Sequence, residues 1–415
     1  MPELDLRESS LRRDRITRQR LDRVIPAVME ESEIECWILV SREYAEDPVA
    51  QTMLPATWLS SRRRTILVFL REGSDVRRAA ISRYEVDGLF PSAWNRSSEP
   101  DQWRALRSIV ADGSPASIAV SGSESFAHAD GLTATEKAQL LDALGSELAE
   151  RVVPGEELAV RWLQTRIPEE RPILEEACSH AHDILRRALS REAVTPSVTT
   201  TEDLEWWLRD QVQLLGCPVW FHPSASVQRS GADLRGSFAN ATKAVTIEPG
   251  DLVHIDFGIL WDHLCTDQQQ HGYVLEPGQT SVPEGLQAAL SSGNRLQDIL
   301  LASFEDGRTG NDVLATALDA GRRAGLDPVI YTHPIGYHGH GAGPVIGLWD
   351  QQEGVPDGGD VRIFGPSAWS IELMNRSEVP EWGEEKVSIM LEEEAWYEDG
   401  LADWVDGRQT EIWAI

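Results

Sequence analysis

Apolar residues recur along this chain with two periods, that of helices and that of strands, and the two alternate in a patterned order. Seven arginines lie between Arg7 and Arg23, and Leu21, Val24, Ile25, Val28 and Met29 follow at helical spacing. That spacing predicts a helix with an apolar inner stripe and a solvated basic face. Apolar β-rich runs come next: Cys36-Trp-Ile-Leu-Val, Thr65-Ile-Leu-Val-Phe-Leu and Ser117-Ile-Ala-Val. Helix-like stretches lie between some of them, around Asp101 to Ile109 and Ala134 to Leu144. This alternation predicts an N-terminal α/β domain over residues 1–155. It holds no GxGxxG or phosphate-loop motif, and nothing in it points to chemistry.

After Val153-Pro-Gly-Glu the pattern changes. Ile173, Leu174, Ala177, Ala181, Ile184, Leu185 and Ala188 mark one amphipathic helix, and Leu204, Leu208, Val212 and Leu215 mark a second. Two strand-like runs follow, Leu252 to Leu260 and Leu264 to Leu275, separated by a short turn. The order then recurs. Helices are expected around Leu286 to Leu301 and Val313 to Ala324, and strands near Ala368 to Met374 and Val387 to Tyr397. Two copies of helix-helix-hairpin without shared sequence predict a pseudo-symmetric α+β domain over 156–415.

Composition narrows the function. A formal charge of -30 repels phosphate backbones, so nucleic acid is not an expected partner. No apolar run is long enough to span a bilayer, and the charged start lacks the apolar stretch of a secretory signal. Cys36, Cys178, Cys217 and Cys265 lie far apart with no CxxC pair, which argues against a thiolate zinc site and suits a reducing cytoplasm. The 41% hydrophobic content is enough for a core in each of two domains.

The densest chemical signal is Asp251-Leu-Val-His-Ile-Asp256-Phe-Gly followed by Leu264-Cys-Thr-Asp267. Asp256 sits inside an apolar run, where a carboxylate is costly unless paired or bound to metal. A turn centred on Trp261-Asp262 would set Asp256 opposite Asp267 on one side of a hairpin. Two ionised carboxylates so close repel unless a cation bridges them. The open alternatives are that one is protonated, or that the register differs and one meets water. Further on, Ser370-Ile-Glu372-Leu-Met and Ile389-Met-Leu-Glu392 embed two more carboxylates in apolar runs. The glycine-rich Tyr337-His-Gly-His340-Gly-Ala-Gly can bring an imidazole close to a metal. One nitrogen and four carboxylates suit Mn, Fe, Co or Zn, and balance the charge of two such ions.

The order Asp, Asp, His, Glu, Glu, with an eleven-residue spacing of the Asp pair and GHGxG around the histidine, resembles the M24 superfamily of methionine aminopeptidase, aminopeptidase P and prolidase. The resemblance implies a pita-bread (creatinase/aminopeptidase-like) catalytic domain behind an N-terminal α/β domain. It implies Asp256, Asp267, His340, Glu372 and Glu392 as ligands of two divalent ions, with Glu372 also moving the proton. It further implies a peptide or peptide-like substrate and a homodimer. Three departures stand out. The family's second histidine, about seven residues after the metal histidine, falls on Gly347; another, before the first Asp, falls near Ala239. The usual arginine after the second Asp is lost within Gln268-Gln-Gln-His. His338 is the expected substitute catalytic group. His254, His333 and His222 are expected to be structural, Trp349 and Asp350 are candidate pocket residues, and Glu393 and Glu394 are expected to be solvated. The expected activity is that of an Xaa-Pro aminopeptidase or prolidase. The alternatives are an amide or C–N hydrolase for a small metabolite, and a binding homologue that has lost turnover.

Overall fold

The computed structural model describes residues 4–231, 244–383 and 386–415. The chain forms two compact units that divide between Thr165 and Arg166.

In the first unit, α1 (Leu6–Glu31) starts at Asp5, whose carboxylate accepts the backbone N–H groups of Arg7 and Glu8 at 3.0 Å. It buries the expected stripe of Leu21, Val24, Ile25, Val28 and Met29. Its basic face is not wholly solvated. Arg20 is fully buried and donates to the carbonyls of Trp162 and Thr165, both at 2.5 Å. Those carbonyls lie at the end of a later helix, where its own ladder leaves acceptors unfilled. The unit continues with β1 (Cys36–Arg42), α2 (Pro48–Gln51), β2 (Arg64–Glu72), β3 (Asp75–Ile81), α3 (Gln102–Gly113), β4 (Ile118–Val120), α4 (Ala134–Ala149), β5 (Val152–Pro154) and α5 (Glu156–Gln164). Its sheet has the order β3-β2-β1-β4-β5. β3 was not legible in the sequence because only Ala79, Ala80 and Ile81 are buried, behind a charged start.

The second unit opens with α6 (Arg171–Ala188) and α7 (Thr201–Leu215). All seven apolar positions expected on the first helix are buried. α7 is fixed at its start by a reciprocal capping box of Thr200 and Asp203. Strands β6 (Ser224–Gln228), β7 (Leu252–Phe257), β8 (Leu260–Trp261), β9 (Leu264–Cys265) and β10 (Gln268–Tyr273) follow. Then come α8 (Glu284–Leu301) and α9 (Gly310–Arg323), the latter with its own capping box of Thr309 and Asp312. The unit ends with β11 (Pro328–Ile330), β12 (His333–Pro334), β13 (Ser367–Ser370), β14 (Leu373–Glu378), β15 (Lys386–Leu391), β16 (Glu394–Glu398), β17 (Leu401–Trp404) and β18 (Trp413–Ala414). The helix-helix-hairpin pattern is present twice, with β7 pairing β10 and β14 pairing β15, both antiparallel.

The sheets run β18-β10-β7-β6, β11-β14-β15 and β12-β13-β16-β17, with β8 and β9 as a short ribbon. Leu286, Leu290, Leu296, Leu300, Val313 and Leu314 pack with Ile389 and Leu391 of β15 in one apolar cluster, which gives the second half a rigid backing. The four cysteines are buried and carry no disulfide. Among the described residues no helix is long and apolar enough to cross a membrane.

Candidate metal centre

Three of the four expected carboxylates sit where strands are interrupted, and Asp256 is the penultimate residue of its strand. In the first hairpin Asp256 pairs with Gln269, and Leu260 with Cys265. The turn is therefore Asp262-His263, not Trp261-Asp262, and Asp256 does not stand directly opposite Asp267. Asp262 and His263 have φ of 48° and 90°. Positive φ at both turn residues matches the right-handed twist of the flanking strands, which is what sets this register. Asp267 lies two residues before Gln269, so it keeps the side of Asp256 as a diagonal neighbour. The ladder opens around it: the backbone N–H of Asp267 donates to Glu394 Oε1 at 2.5 Å instead of to β7. Gly258 makes this opening possible, since a Cβ there would overlap the Thr266 carbonyl.

The two glutamates occupy matching breaks in the second half. Glu372 separates β13 from β14, and Glu392 separates β15 from β16. Thr332 Oγ1 accepts from the backbone N–H of Glu372 at 3.0 Å and lies 2.9 Å from its carbonyl. Ser370 Oγ donates to Glu392 Oε1 at 2.6 Å, and Gln269 Nε2 donates to Glu392 Oε2 at 2.7 Å and to Glu372 Oε1 at 2.6 Å.

These breaks bring the side chains together. Donor atoms of Asp256, Asp267 and Glu392 lie within 4.8 Å of one another, as do those of His333, Glu372 and Glu392, and of Asp267, His333 and His340. Burial and the charge of Glu392 push Asp256 and Glu372 well above the usual carboxylate range. Burial and then Glu392, Asp256 and Glu372 do the same to Asp267.

His333, expected to be structural, is the imidazole deepest in this cluster. Its Nδ1 donates to the Pro334 carbonyl at 3.0 Å, which turns Nε2 towards the carboxylates. Nε2 lies 3.5 Å from Glu392 Oε1, 3.9 Å from Glu372 Oε2 and 4.0 Å from Asp267 Oδ2. It is buried without a hydrogen-bond partner, and so is Asp267 Oδ1. Two buried acceptors aimed into a nest of carboxylates fit a divalent cation of the Mn, Fe, Co or Zn group.

His340 stands at the exposed rim. Its ring meets His333 edge-on at 4.8 Å and Trp220 at 5.2 Å. Trp220 is held by its Nε1 donating to the Thr266 carbonyl at 2.8 Å, and its indole lies so close to Gly339 that a Cβ there would overlap it. Arg166, in a fully buried ion pair with Glu170 at 2.8 Å, lies 4.8 Å over the Tyr337 ring and anchors the start of this segment. His338 is half-buried and belongs to none of the three donor sets among the described residues. Gly347 has φ of 76°, and a Cβ there would overlap the Ile330 carbonyl, so that position cannot present a side chain without strain.

The remaining candidates lie elsewhere. His222 is 3.6 Å from Glu205 and packs on Trp206, while Trp349 is 66% exposed. Asp350 is exposed. The position near Ala239 lies outside the described residues. Glu393 and Glu394 are not solvated: they are 1% and 2% exposed. Glu393 meets His182 Nε2 at 2.6 Å, Gln270 Nε2 at 2.9 Å and the backbone N–H of Gln409 at 3.2 Å. Glu394 accepts from Asp267 N–H and from Cys178 Sγ, and burial pushes it up to about 8. Helix α6 and the C-terminal segment, remote in sequence, cover both.

Residues 173–379 match the profile of metallopeptidase family M24. No curated protein matches the chain. Solved structures do: the X-Pro aminopeptidase from Thermotoga maritima MSB8 is 15% identical with a TM-score of 0.65, over 94% of this chain and 100% of that one. The Xaa-Pro dipeptidase from Bacillus anthracis is 16% identical with a TM-score of 0.63, over 97% and 100%. Aminopeptidase P from E. coli is 12% identical with a TM-score of 0.62, over 95% and 96%. At such identities the likeness is one of fold, and it extends over both units. Taken with the profile match and the converging acidic and imidazole groups, it places this chain in metallopeptidase family M24, among the metal-dependent peptidases.

Proposed function

We propose that the chain removes an N-terminal residue from peptides with proline in second position, as an Xaa-Pro aminopeptidase or prolidase. The observation that carries this reading is the pair of orphaned buried acceptors, His333 Nε2 and Asp267 Oδ1, inside a cluster of four carboxylates. The similar structures of an X-Pro aminopeptidase and an Xaa-Pro dipeptidase support the substrate class.

In this reading Asp256, Asp267, Glu372, Glu392 and His333 hold the metal. The overlapping donor sets leave room for two ions. His333 takes the ligand role first expected of His340, because His333 is buried against three carboxylates while His340 is exposed at the rim. His340 then lies seven residues after the ligand histidine, the spacing first sought at Gly347. This reading removes one of the three departures, that at Gly347.

Divalent ions held by these residues would lower the pKa of a water and polarise a scissile carbonyl. The residues do the rest. Glu372 accepts the proton released on attack and passes it to the leaving amine. His340 donates a hydrogen bond to the substrate from the rim. The carboxylates also attract the free α-ammonium of a peptide, which favours cleavage at the N-terminus.

The test is Mn- or Co-loaded protein against Xaa-Pro dipeptides and tripeptides, with N-acetylated copies as controls. Release of the first residue, blocked by acetylation and by a chelator, is the expected result. Turnover of small amides with no action on any Xaa-Pro peptide would replace this reading with that of a metabolite hydrolase. Light scattering at twice the monomer mass is expected, since a homodimer is the commonest closed assembly.

A further inference from the structure

The residue facing Asp256 across the hairpin is Gln269, fully buried, and its carboxamide lies between the two glutamates of the centre. Its Nε2 donates to Glu372 Oε1 at 2.6 Å and to Glu392 Oε2 at 2.7 Å. This amide orientation is forced. With a cation bound and both glutamates ligating it as carboxylates, the opposite one would set a carbonyl oxygen against two carboxylate oxygens, a repulsive contact with no donor between them. Gln269 Oε1 must therefore face His254 Nε2, 2.9 Å away. An amide oxygen only accepts, so His254 carries its proton on Nε2, and its Nδ1 is left as an acceptor. Ser226 Oγ lies 3.4 Å from that Nδ1 and is the donor to it. Ser226 and His254 are cross-strand partners on β6 and β7, so the ladder itself holds them in register. The result is a directed chain of hydrogen bonds from Ser226 through His254 and Gln269 to Glu372 and Glu392. The directions follow in turn from the two glutamates at its end.

We propose that Gln269, oriented by His254 and Ser226, is the positioning residue of the metal centre: it clamps Glu372 and Glu392 at a fixed separation so that they receive the ions preorganised. The proposal rests on the metal reading above. Two buried carboxylates left to themselves swing apart or share a proton. A primary amide with both N–H bonds engaged holds an oxygen of each glutamate at a fixed place without itself contributing a ligand. Outer groups of this kind orient ligands as much as the ligands orient the metal.

The experiment compares full-length wild type with Gln269→Met, His254→Leu and His254→Gln. Mn(II) affinity is read by calorimetry, and the Co(II) absorption spectrum reads ligand geometry. Methionine keeps the length of glutamine but donates nothing. Gln269→Met is expected to weaken Mn(II) by about 10- to 100-fold and to shift the Co(II) bands, with an unchanged melting transition in excess metal. His254→Leu should move both readouts in the same direction by less. His254→Gln should restore them, because its amide N–H reaches the place of the imidazole Nε2–H. Wild-type affinity and an unshifted Co(II) spectrum in Gln269→Met overturn the clamp. A His254→Gln protein as impaired as His254→Leu overturns the orienting role of the imidazole. Wild type that binds neither ion removes the metal centre itself and the clamp with it, and that failure is distinguishable because it appears before any substitution is made.

Discussion

Glu392 and Glu393 are neighbours in the chain at the break between β15 and β16, equally buried at 1% exposure, and meet different partners. On one side Glu393 meets a protein-borne cation. His182 is held between Glu393 and Asp406 at 2.6 and 2.9 Å. Burial works against the charged imidazole, but the Glu393 charge and both hydrogen bonds carry His182 up to about 10. On the other side Glu392 meets three more carboxylates and the Nε2 edge of His333. Its own partners, Ser370 and Gln269, are neutral donors. One side of the sheet thus balances its buried charge from within the fold, and the other does not. The fold supplies His182 to one carboxylate, while Asp267, Glu372 and Glu392 of the other cluster share the imidazole of His333 at 3.5 to 4.0 Å, an arrangement suited to receiving charge from outside.

Asp267→Ala is expected to break this contrast most completely. It removes donors from two of the three sets, so stoichiometric metal and all peptidase activity should be lost on metal analysis and assay. Full metal content in that variant would mean the two sides of the sheet do not differ as described. The histidines sharpen the contrast further. His333→Ala should lose metal, whereas His340→Ala should keep it and lose about 10²- to 10³-fold in turnover, the usual worth of one transition-state donor. The reversed pattern would return the ligand role to His340.

Glu393→Gln probes the balanced side. It should leave metal content unchanged and destabilise the fold by about 3–5 kcal/mol, because His182 stays buried with its main counter-charge gone. Denaturant titration of the metal-loaded protein reads this. Loss of metal with preserved stability would show that the two sides are one site.

The smallest effect is on the pH profile of melting. Asp256, Asp267 and Glu372 have folded pKa values above their unfolded ones. The metal-free folded state therefore holds protons that the unfolded state has released, and stability falls as pH rises above about 4. Bound metal should remove that slope, so metal should raise the melting temperature more at pH 8 than at pH 5. His182 has a raised folded pKa against an ordinary 6.5, so its stabilisation is full below 6.5 and is lost as pH rises towards about 10. That limb should survive metal loading and flatten in His182→Gln. A metal-free melting temperature that climbs from pH 5 to pH 8 would contradict the assignment of the acidic side.

Much of this was readable from single residues. A carboxylate inside an apolar run is costly wherever the run folds, so Asp256, Glu372 and Glu392 stood out without any partner in view. The histidine was harder, because His333-Pro-Ile-Gly and Gly339-His-Gly-Ala-Gly both offer an imidazole among small residues. The only signal in the chain that favoured His333 was its seven-residue distance to His340. The register of the hairpin was harder still. Asp262 and His263 both adopt positive φ without a glycine or asparagine to announce the turn. Gln269 drew notice only as part of a run that lacked an arginine.

By itself the sequence determined what depends on periodicity and on the cost of isolated groups: two units, a doubled helix-helix-hairpin, and acidic residues too expensive to bury unpaired. The tertiary structure alone decided which groups meet. Asp256 faces Gln269 because a two-residue turn sets the ladder, and His333 lies among the carboxylates because β12 pairs with β13 beside Ser370. Glu393 is buried because His182 arrives from α6, some two hundred residues earlier in the chain. Local pattern reports what a residue needs, but a partner that distant is chosen only when the strands close, so it leaves no mark in the neighbouring sequence.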